Sequence, residues 1–199
     1  MLEKAREKFK EIKERLADKN NLLAIKEFEE ALKRLIEEYD TSDWENRFVV
    51  GGVLEILFSA LLNACGFKSK RLQEIRYDIE IDGIKFSIKS NFTGSGDIRL
   101  INILGSGEAV WKEPTFFFIS EIGICYADPE LELKTKKTKD ALTINTQELK
   151  NFIEKNNEWL IKISIPRKIA NPSQIKKASF AVCKSILEAI NSQILKNYI

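Results

Sequence analysis

The residues best equipped for chemistry lie between positions 55 and 89. Asp82-Gly83 has the composition of a two-residue hairpin turn. Taken as the turn, it pairs Ile81 with Ile84, Glu80 with Lys85, Ile79 with Phe86 and Asp78 with Ser87. Alternation then places Tyr77, Ile79, Ile81, Ile84, Phe86 and Ile88 on one face. Arg76, Asp78, Glu80, Asp82, Lys85, Ser87 and Lys89 fall on the other. Glu80 opposite Lys85 reads as a cross-strand ion pair. Asp78 stands opposite Ser87 and one step from Lys89, so a carboxylate, a hydroxyl and an ammonium share one patch. The sequence has 0 His, which removes Ser-His-Asp and Cys-His nucleophile systems, His-ligated zinc and a His general base. Catalysis here must rest on carboxylates, Lys, Tyr, Ser or a hard cation held by oxygens.

A further carboxylate, Glu55, stands in a segment that is otherwise apolar on nearly every side from Phe48 to Ala64. Ser42 and Glu45 are spaced as a capping box, and Gly66 follows Cys65 as a stop signal, which predicts one buried helix over about 42–65. Glu55, Ser59 and Asn63, each four apart, make its only polar stripe. An unpaired charge in such a helix costs several kcal/mol. Glu55 therefore either meets a Lys or Arg structurally, or faces a cleft and binds something.

These elements sit in a chain of 199 residues, 44% hydrophobic and 31% charged, the composition of one soluble globular domain. Residues 2–19 and 21–39 read as two amphipathic helices, an N-terminal arm (1–40) on a main domain (41–199). After the hairpin come a polar loop over 90–97, a strand over 98–104 and a break at Gly105-Ser106-Gly107. Thr115–Tyr126 then reads as one continuous apolar strand, and 134–139 as an exposed basic loop. A helix near 146–156, a strand near 158–165 and a C-terminal helix over about 173–197 complete an α/β (α+β) pattern.

Several functions are excluded or disfavoured. No Gly-Lys-Ser/Thr follows the glycines of the 90–97 loop, so no nucleotide cofactor is expected. Glu55, Ser59 and Asn63 interrupt the longest apolar run short of the roughly 18 residues of a membrane span. The charged N-terminus lacks a signal core, and Cys65, Cys125 and Cys183 are spaced for neither metal knuckles nor a disulfide framework. A reduced, cytoplasmic protein with no membrane contact is the expectation. Formal charge is +2 overall but uneven: residues 131–199 hold 13 Lys/Arg against 6 Asp/Glu, whereas residues 51–130 hold 8 against 11. An acidic middle followed by a basic third suits a polyanion-binding protein with a cation site.

The order of a helix Glu, Gly-Phe, an Asp strand, a tight turn and a strand ending in Lys resembles the PD-(D/E)xK nuclease superfamily, most closely its type II restriction endonucleases. The likeness covers roughly residues 51–125. It rests on Gly51-Gly52-Val53-Leu54-Glu55, Gly66-Phe67, Tyr77-Asp78-Ile79 and Ser87-Ile88-Lys89-Ser90. Tyr77 stands where the superfamily often has Pro, and Ser87 where an acidic residue is usual.

The resemblance implies a mixed central sheet flanked by helices. It also implies Mg²⁺, with Mn²⁺ as a substitute, held by Asp78, Glu55 and the Ile88 carbonyl, with Glu80 as a further oxygen donor. Asp78, Lys89, Glu55 and Ser87 would form the catalytic group, Lys89 orienting the attacking water or stabilising phosphorane charge. The implied reaction is hydrolysis of double-stranded DNA at a specific sequence, leaving 5′-phosphates, by a homodimer matched to a palindrome. Lys134, Lys136, Lys137, Lys139, Arg167 and Lys168 are the expected phosphate contacts, and Asn91, Arg99 and Asn102 the expected base readers. Two other functions fit the same residues, a structure-directed repair or recombination nuclease and a catalytically inactive DNA-binding module.

Overall fold

The computed structural model describes residues 1–39, 44–102, 110–168 and 179–199, with the side chains of 44 and 45 left out. The Ser42–Glu45 capping box, the Gly105-Ser106-Gly107 break and the proposed helix start near 173 lie outside these residues. The fold is mixed α/β. Two N-terminal helices, α1 (Leu2–Leu16) and α2 (Leu22–Glu38), precede the long apolar helix α3 (Trp44–Ala64). Strands β1 (Ser69–Arg71), β2 (Ile79–Ile81), β3 (Ile84–Asn91) and β4 (Asp97–Asn102) follow. After them come β5 (Thr115–Ile119), β6 (Gly123–Ala127), β7 (Thr135–Lys137) and β8 (Ala141–Asn145). Helix α4 (Thr146–Lys155), strand β9 (Leu160–Ile161) and helix α5 (Ser179–Ala189) complete the order.

Six strands form one sheet in the order β1-β2-β3-β5-β6-β9, and β4-β8-β7 form a second. Among the described residues only β3 and β5 run parallel; the other neighbouring strands are antiparallel. The hairpin has the expected register, Ile79 with Phe86, Glu80 with Lys85 and Ile81 with Ile84. Asp82 (φ 48°) and Gly83 (φ 82°) both take positive φ, as a type I′ turn requires.

An aromatic layer joins the three helices to one sheet face. Phe9 of α1 stacks at 5.9 Å from Phe116, Phe28 of α2 at 6.4 Å from Phe118, and Phe58 of α3 at 5.1 and 5.0 Å from both. Residues 2–38 therefore bury their apolar stripes within the chain's own core, with Phe9, Ile12, Phe28, Leu32 and Leu35 fully covered. The stretch 46–64 of α3 is in fact long and apolar enough to pass for a membrane span, with a mean hydropathy of 1.6. Its residues Val53, Leu54, Leu57, Phe58 and Leu61 are instead buried against the sheet and helices.

Four sequence expectations are corrected. Thr115–Tyr126 is two antiparallel strands, because Glu121 (φ 65°) and Gly123 (φ 129°) turn the chain between β5 and β6. A Cβ at Gly123 would come within 2.5 Å of the Ile161 carbonyl oxygen, so this turn and the neighbouring strand require glycine there. The basic segment 134–139 contains strand β7, an exposed, lysine-bearing sheet edge. The strand near 158–165 shortens to β9, preceded by a 3-10 turn over Asn157–Trp159. Finally, α5 stops at Ala189, and the chain re-forms only a 3-10 turn over Leu195–Tyr198.

The interruption at 190–194 has a cause in α2. The Glu27 carboxylate, 7% exposed, accepts hydrogen bonds from the Ser192 hydroxyl and from the backbone N–H groups of Gln193, Ile194 and Leu195. Burial pushes its pKa up, but these four donors outweigh burial and hold it below the usual glutamate range. A depressed folded pKa stabilises at pH values above the unfolded value, about 4.3, and that stability is lost as pH falls through the folded pKa. Glu27→Ala is expected to lose about 2–3 kcal/mol at pH 7, since four donors lose a charged acceptor. The gap from wild type should narrow in urea melts repeated below about pH 4. A variant as stable as wild type at pH 7 would show that the C-terminal segment does not depend on this anchor.

Candidate active site

The chemistry-bearing residues meet where β2 ends and β3 continues. Beyond the Ile79–Phe86 pair, β3 extends to Asn91 with β5 along one edge and, among the described residues, no strand along the other. Asp78, the residue before β2, donates its N–H to the Phe86 carbonyl at 2.9 Å. Its Oδ2 then accepts the Ile88 N–H at 2.5 Å and the Ser87 hydroxyl at 2.9 Å. The carboxylate thus replaces the backbone acceptor that a longer β2 would have supplied. Asp78 Oδ1 accepts no hydrogen bond among the described residues.

Backbone direction places one more oxygen here. The Ser87 N–H donates toward β5, to Pro114 O at 2.9 Å, and Asn91 O accepts from Ser120 N–H at 3.1 Å on that side. Odd-numbered residues of β3 therefore address β5. The N–H and C=O of one strand residue point the same way, so the Ile88 carbonyl shares the open edge with its N–H and Asp78.

Lys89 Nζ lies 3.7 Å from Asp78 Oδ2, both side chains about a quarter exposed. Glu55 approaches from α3, where Arg71 of β1 donates Nε–H to its Oε2 at 2.5 Å. Burial raises the Glu55 pKa, the Arg71 hydrogen bond and charge lower it, Asp78 raises it and Lys89 lowers it, leaving the group above its ordinary value. Glu55 is therefore both paired and within the field of Asp78 and Lys89. The rest of its stripe is structural: Ser59 donates to the Ser69 hydroxyl, and Asn63 exchanges two hydrogen bonds with the Ser69 backbone. No family model, curated protein or solved structure matches this chain. Its chemistry must be read from these side chains.

The other expected site residues divide into three groups. Glu80 lies two residues from Asp78 but bonds Lys70 at 2.8 Å, while Lys85 turns to Glu74 at 2.6 Å. Asn91 organises the loop after β3: its Oδ1 accepts from Thr93 N–H, the Thr93 hydroxyl and Gly94 N–H, and its Nδ2 donates to Ser95 O and Thr146 Oγ1. Arg167 pairs with Glu121 at 3.5 Å, and the Lys168 N–H donates to Phe92 O. Lys150, which sequence reasoning passed over, donates to Gly94 O at 3.1 Å. A basic group thus gathers around the loop that follows the strand bearing Lys89.

The second sheet unites residues that are distant in sequence. Lys136, Thr143 and Arg99 stand in one register row across β7, β8 and β4, and Arg99 donates to Asn102 Oδ1 at 3.1 Å. Lys134, Lys136, Lys137, Lys139, Arg99 and Asn102 are all exposed. Arg71 was likewise missed by sequence reasoning; it stands with Lys68, Lys70 and Arg76 in a polar stretch ahead of Asp78, and nothing in the sequence singles it out.

Proposed function

We propose that this protein is a divalent-cation-dependent endonuclease of double-stranded DNA, acting at a specific sequence as restriction endonucleases do. The observation that carries this reading is the meeting of Asp78, Lys89 and the Ile88 backbone at the open edge of β3, with Glu55 of α3, held by Arg71, in the electrostatic field of Asp78 and Lys89. Among the described residues no three Asp, Glu, Cys or His side chains close into a metal cage. Mg²⁺ does not need one, because it keeps several waters and is commonly bound through one or two carboxylates. Asp78, through its unengaged Oδ1, Glu55 and the Ile88 carbonyl would hold the ion. With Mg²⁺ bound, the cation supplies polarisation of the phosphate and acidification of a water.

The chain's own groups do the rest. Ser87 and the Ile88 N–H fix the Asp78 carboxylate, and Arg71 favours the ionised form of Glu55. Lys89 orients the attacking water and offsets the negative charge that develops on the phosphoryl oxygens. A water oxygen bonds to phosphorus, the bond to the 3′ oxygen breaks, and that oxygen takes up a proton, leaving a 5′-phosphate and a 3′-hydroxyl. The basic groups around the 92–96 loop and on the β4-β8-β7 sheet would hold phosphates. Two copies of the chain would match a palindromic site by two-fold symmetry.

The test is a digest of unmethylated phage DNA with Mg²⁺ beside an EDTA control. Discrete, cation-dependent bands are expected, and mapping their ends identifies the site. A smear would replace sequence specificity with a structure-directed or nonspecific nuclease. No cutting, with a retained gel shift on the same DNA, would overturn the nuclease in favour of a binding module. The specific observation behind that module is Ser87, a neutral hydroxyl bonded to Asp78 where a second acid is usual.

A further inference from the structure

The loop between β1 and β2 carries a residue that the reaction above does not use. Ile75 is fully exposed, at 105% of its reference area, three residues before Asp78. Exposed isoleucines are common enough singly, but the residues around this one are fastened down. The loop is closed at its neck by Leu72 N–H donating to Asp78 O at 2.9 Å. On one side of the tip, Glu74 accepts from Lys85 Nζ at 2.6 Å. On the other, Arg76 reaches Glu113 at 3.7 Å, and Lys85 Nζ lies 5.8 Å from the centre of the Tyr77 ring. Glu113 is itself 5% exposed and lies beside Pro114, whose carbonyl accepts the Ser87 N–H. Positions 74 and 77 thus meet Lys85 of β3, position 76 meets Glu113 just ahead of β5, and a β-branched apolar side chain is left standing into solvent between them.

We propose that Ile75 is a wedge that enters the base stack of bound duplex DNA at the step beside the scissile phosphate. The inference rests on the nuclease reading above. A loop hydrogen-bonded to Asp78 at its neck moves with the site, so its tip meets whatever strand the site engages. Its immediate neighbours do not repel a duplex: Glu74 is paired with Lys85 and Glu113 with Arg76, so the carboxylates beside the tip are neutralised and two cations lie within reach of a phosphate backbone. Small apolar side chains inserted between base pairs unstack a step at a cost of a few kcal/mol per step, which the protein repays through contacts the distorted duplex allows. Ile75 is stiff at χ1, which limits the entropy lost on insertion. Its role is to open one step so that the scissile phosphate reaches Asp78 and Lys89.

The experiment compares wild type with Ile75→Ala and Ile75→Ser on two versions of a duplex that wild type cuts. One is fully paired, and the other carries a mismatch at the step flanking the cut, so that it is already unstacked. On the paired duplex both variants should cut about 10–100-fold more slowly than wild type. On the mismatched duplex their deficit relative to wild type should close to within about threefold, because the unstacking cost that the wedge offsets is already met. Thermal melting should not change, since Ile75 buries nothing in the free protein.

Variants that match wild type on the paired duplex would overturn the wedge and leave the nuclease standing. An equal deficit on both duplexes would also overturn it, since that pattern means the substitutions disturb Asp78 through the loop neck. Failure of wild type to cut any DNA with Mg²⁺ would overturn the nuclease reading first, and this inference with it.

Discussion

Lys89→Ala and Asp78→Asn are each expected to slow single-turnover DNA cleavage by about 10²–10³-fold, the usual loss when one preorganised charge is removed from a phosphoryl or acyl transfer site. Lys89 contributes one half-buried ammonium 3.7 Å from Asp78. Its removal takes away the charge that the proposed reaction needs at the phosphate, and at a side chain about a quarter exposed it does not open the core. Asp78→Asn keeps an oxygen to accept the Ile88 N–H and the Ser87 hydroxyl, so both hydrogen bonds survive while the negative charge is lost. On the nuclease reading, duplex affinity would be shared among many phosphate contacts, and gel shifts with both variants should therefore stay close to wild type. Ser87→Ala removes only one of the two hydrogen bonds to Asp78 Oδ2 and should cost about tenfold, in the range of an outer-shell change. A loss as large as that of Asp78→Asn would mean that the hydroxyl meets the cation or the water directly. Unimpaired cutting by Lys89→Ala or Asp78→Asn would remove the site assigned here.

What was legible in the sequence was local. The Asp82-Gly83 turn fixes the register of β2 and β3 through turn chemistry and two-residue alternation, and both operate within ten residues. Parity alone put Asp78, Ser87 and Lys89 together, and they are together. The failures came where distant groups decide. Helical periodicity continues past Ala189, yet Asn191 (φ 53°) turns the chain out of the helix and Glu27 holds the N–H groups of 193–195 from across the fold, so the helix does not resume. Thr115–Tyr126 is apolar enough for one strand, and only Ser120-Glu121-Ile122-Gly123 marks the turn that divides it. The stripe Glu55, Ser59, Asn63 left open whether it met a cation or a cleft. The answer lay in β1, three residues long, which no period can distinguish from a loop, and which supplies Ser69 and Arg71 to that stripe.

Glu55→Gln should separate function from stability more sharply than any other substitution in this protein. The carboxyl is 16% exposed, and its folded pKa stays above the ordinary glutamate value, about 4.3, even with Arg71 beside it. Folding thus disfavours its charged form. A raised folded pKa contributes stability that is present below the unfolded pKa and lost as pH rises through the folded one. Glutamine removes that decline while filling the same space, and Arg71, 39% exposed, can be hydrated when its partner goes. At pH 7 the variant should therefore melt no lower than wild type. Cleavage should nevertheless fall about 10–100-fold, as when a carboxylate that supports a bound cation is lost.

Arg71→Met supplies the complementary test. Arg71 lowers the Glu55 pKa, so its removal must raise that pKa further, and the acid limb of the cleavage profile should move to higher pH. Glu55→Gln should lack that limb. If Glu55→Gln instead lost stability and kept its turnover, the pair would be a clamp holding α3 to β1, and Asp78 and Lys89 would have to work without a second carboxylate. Melting and turnover of Glu55→Gln, read beside the pH profile of Arg71→Met, therefore decide between a carboxylate that serves a cation and one that clamps α3 to β1.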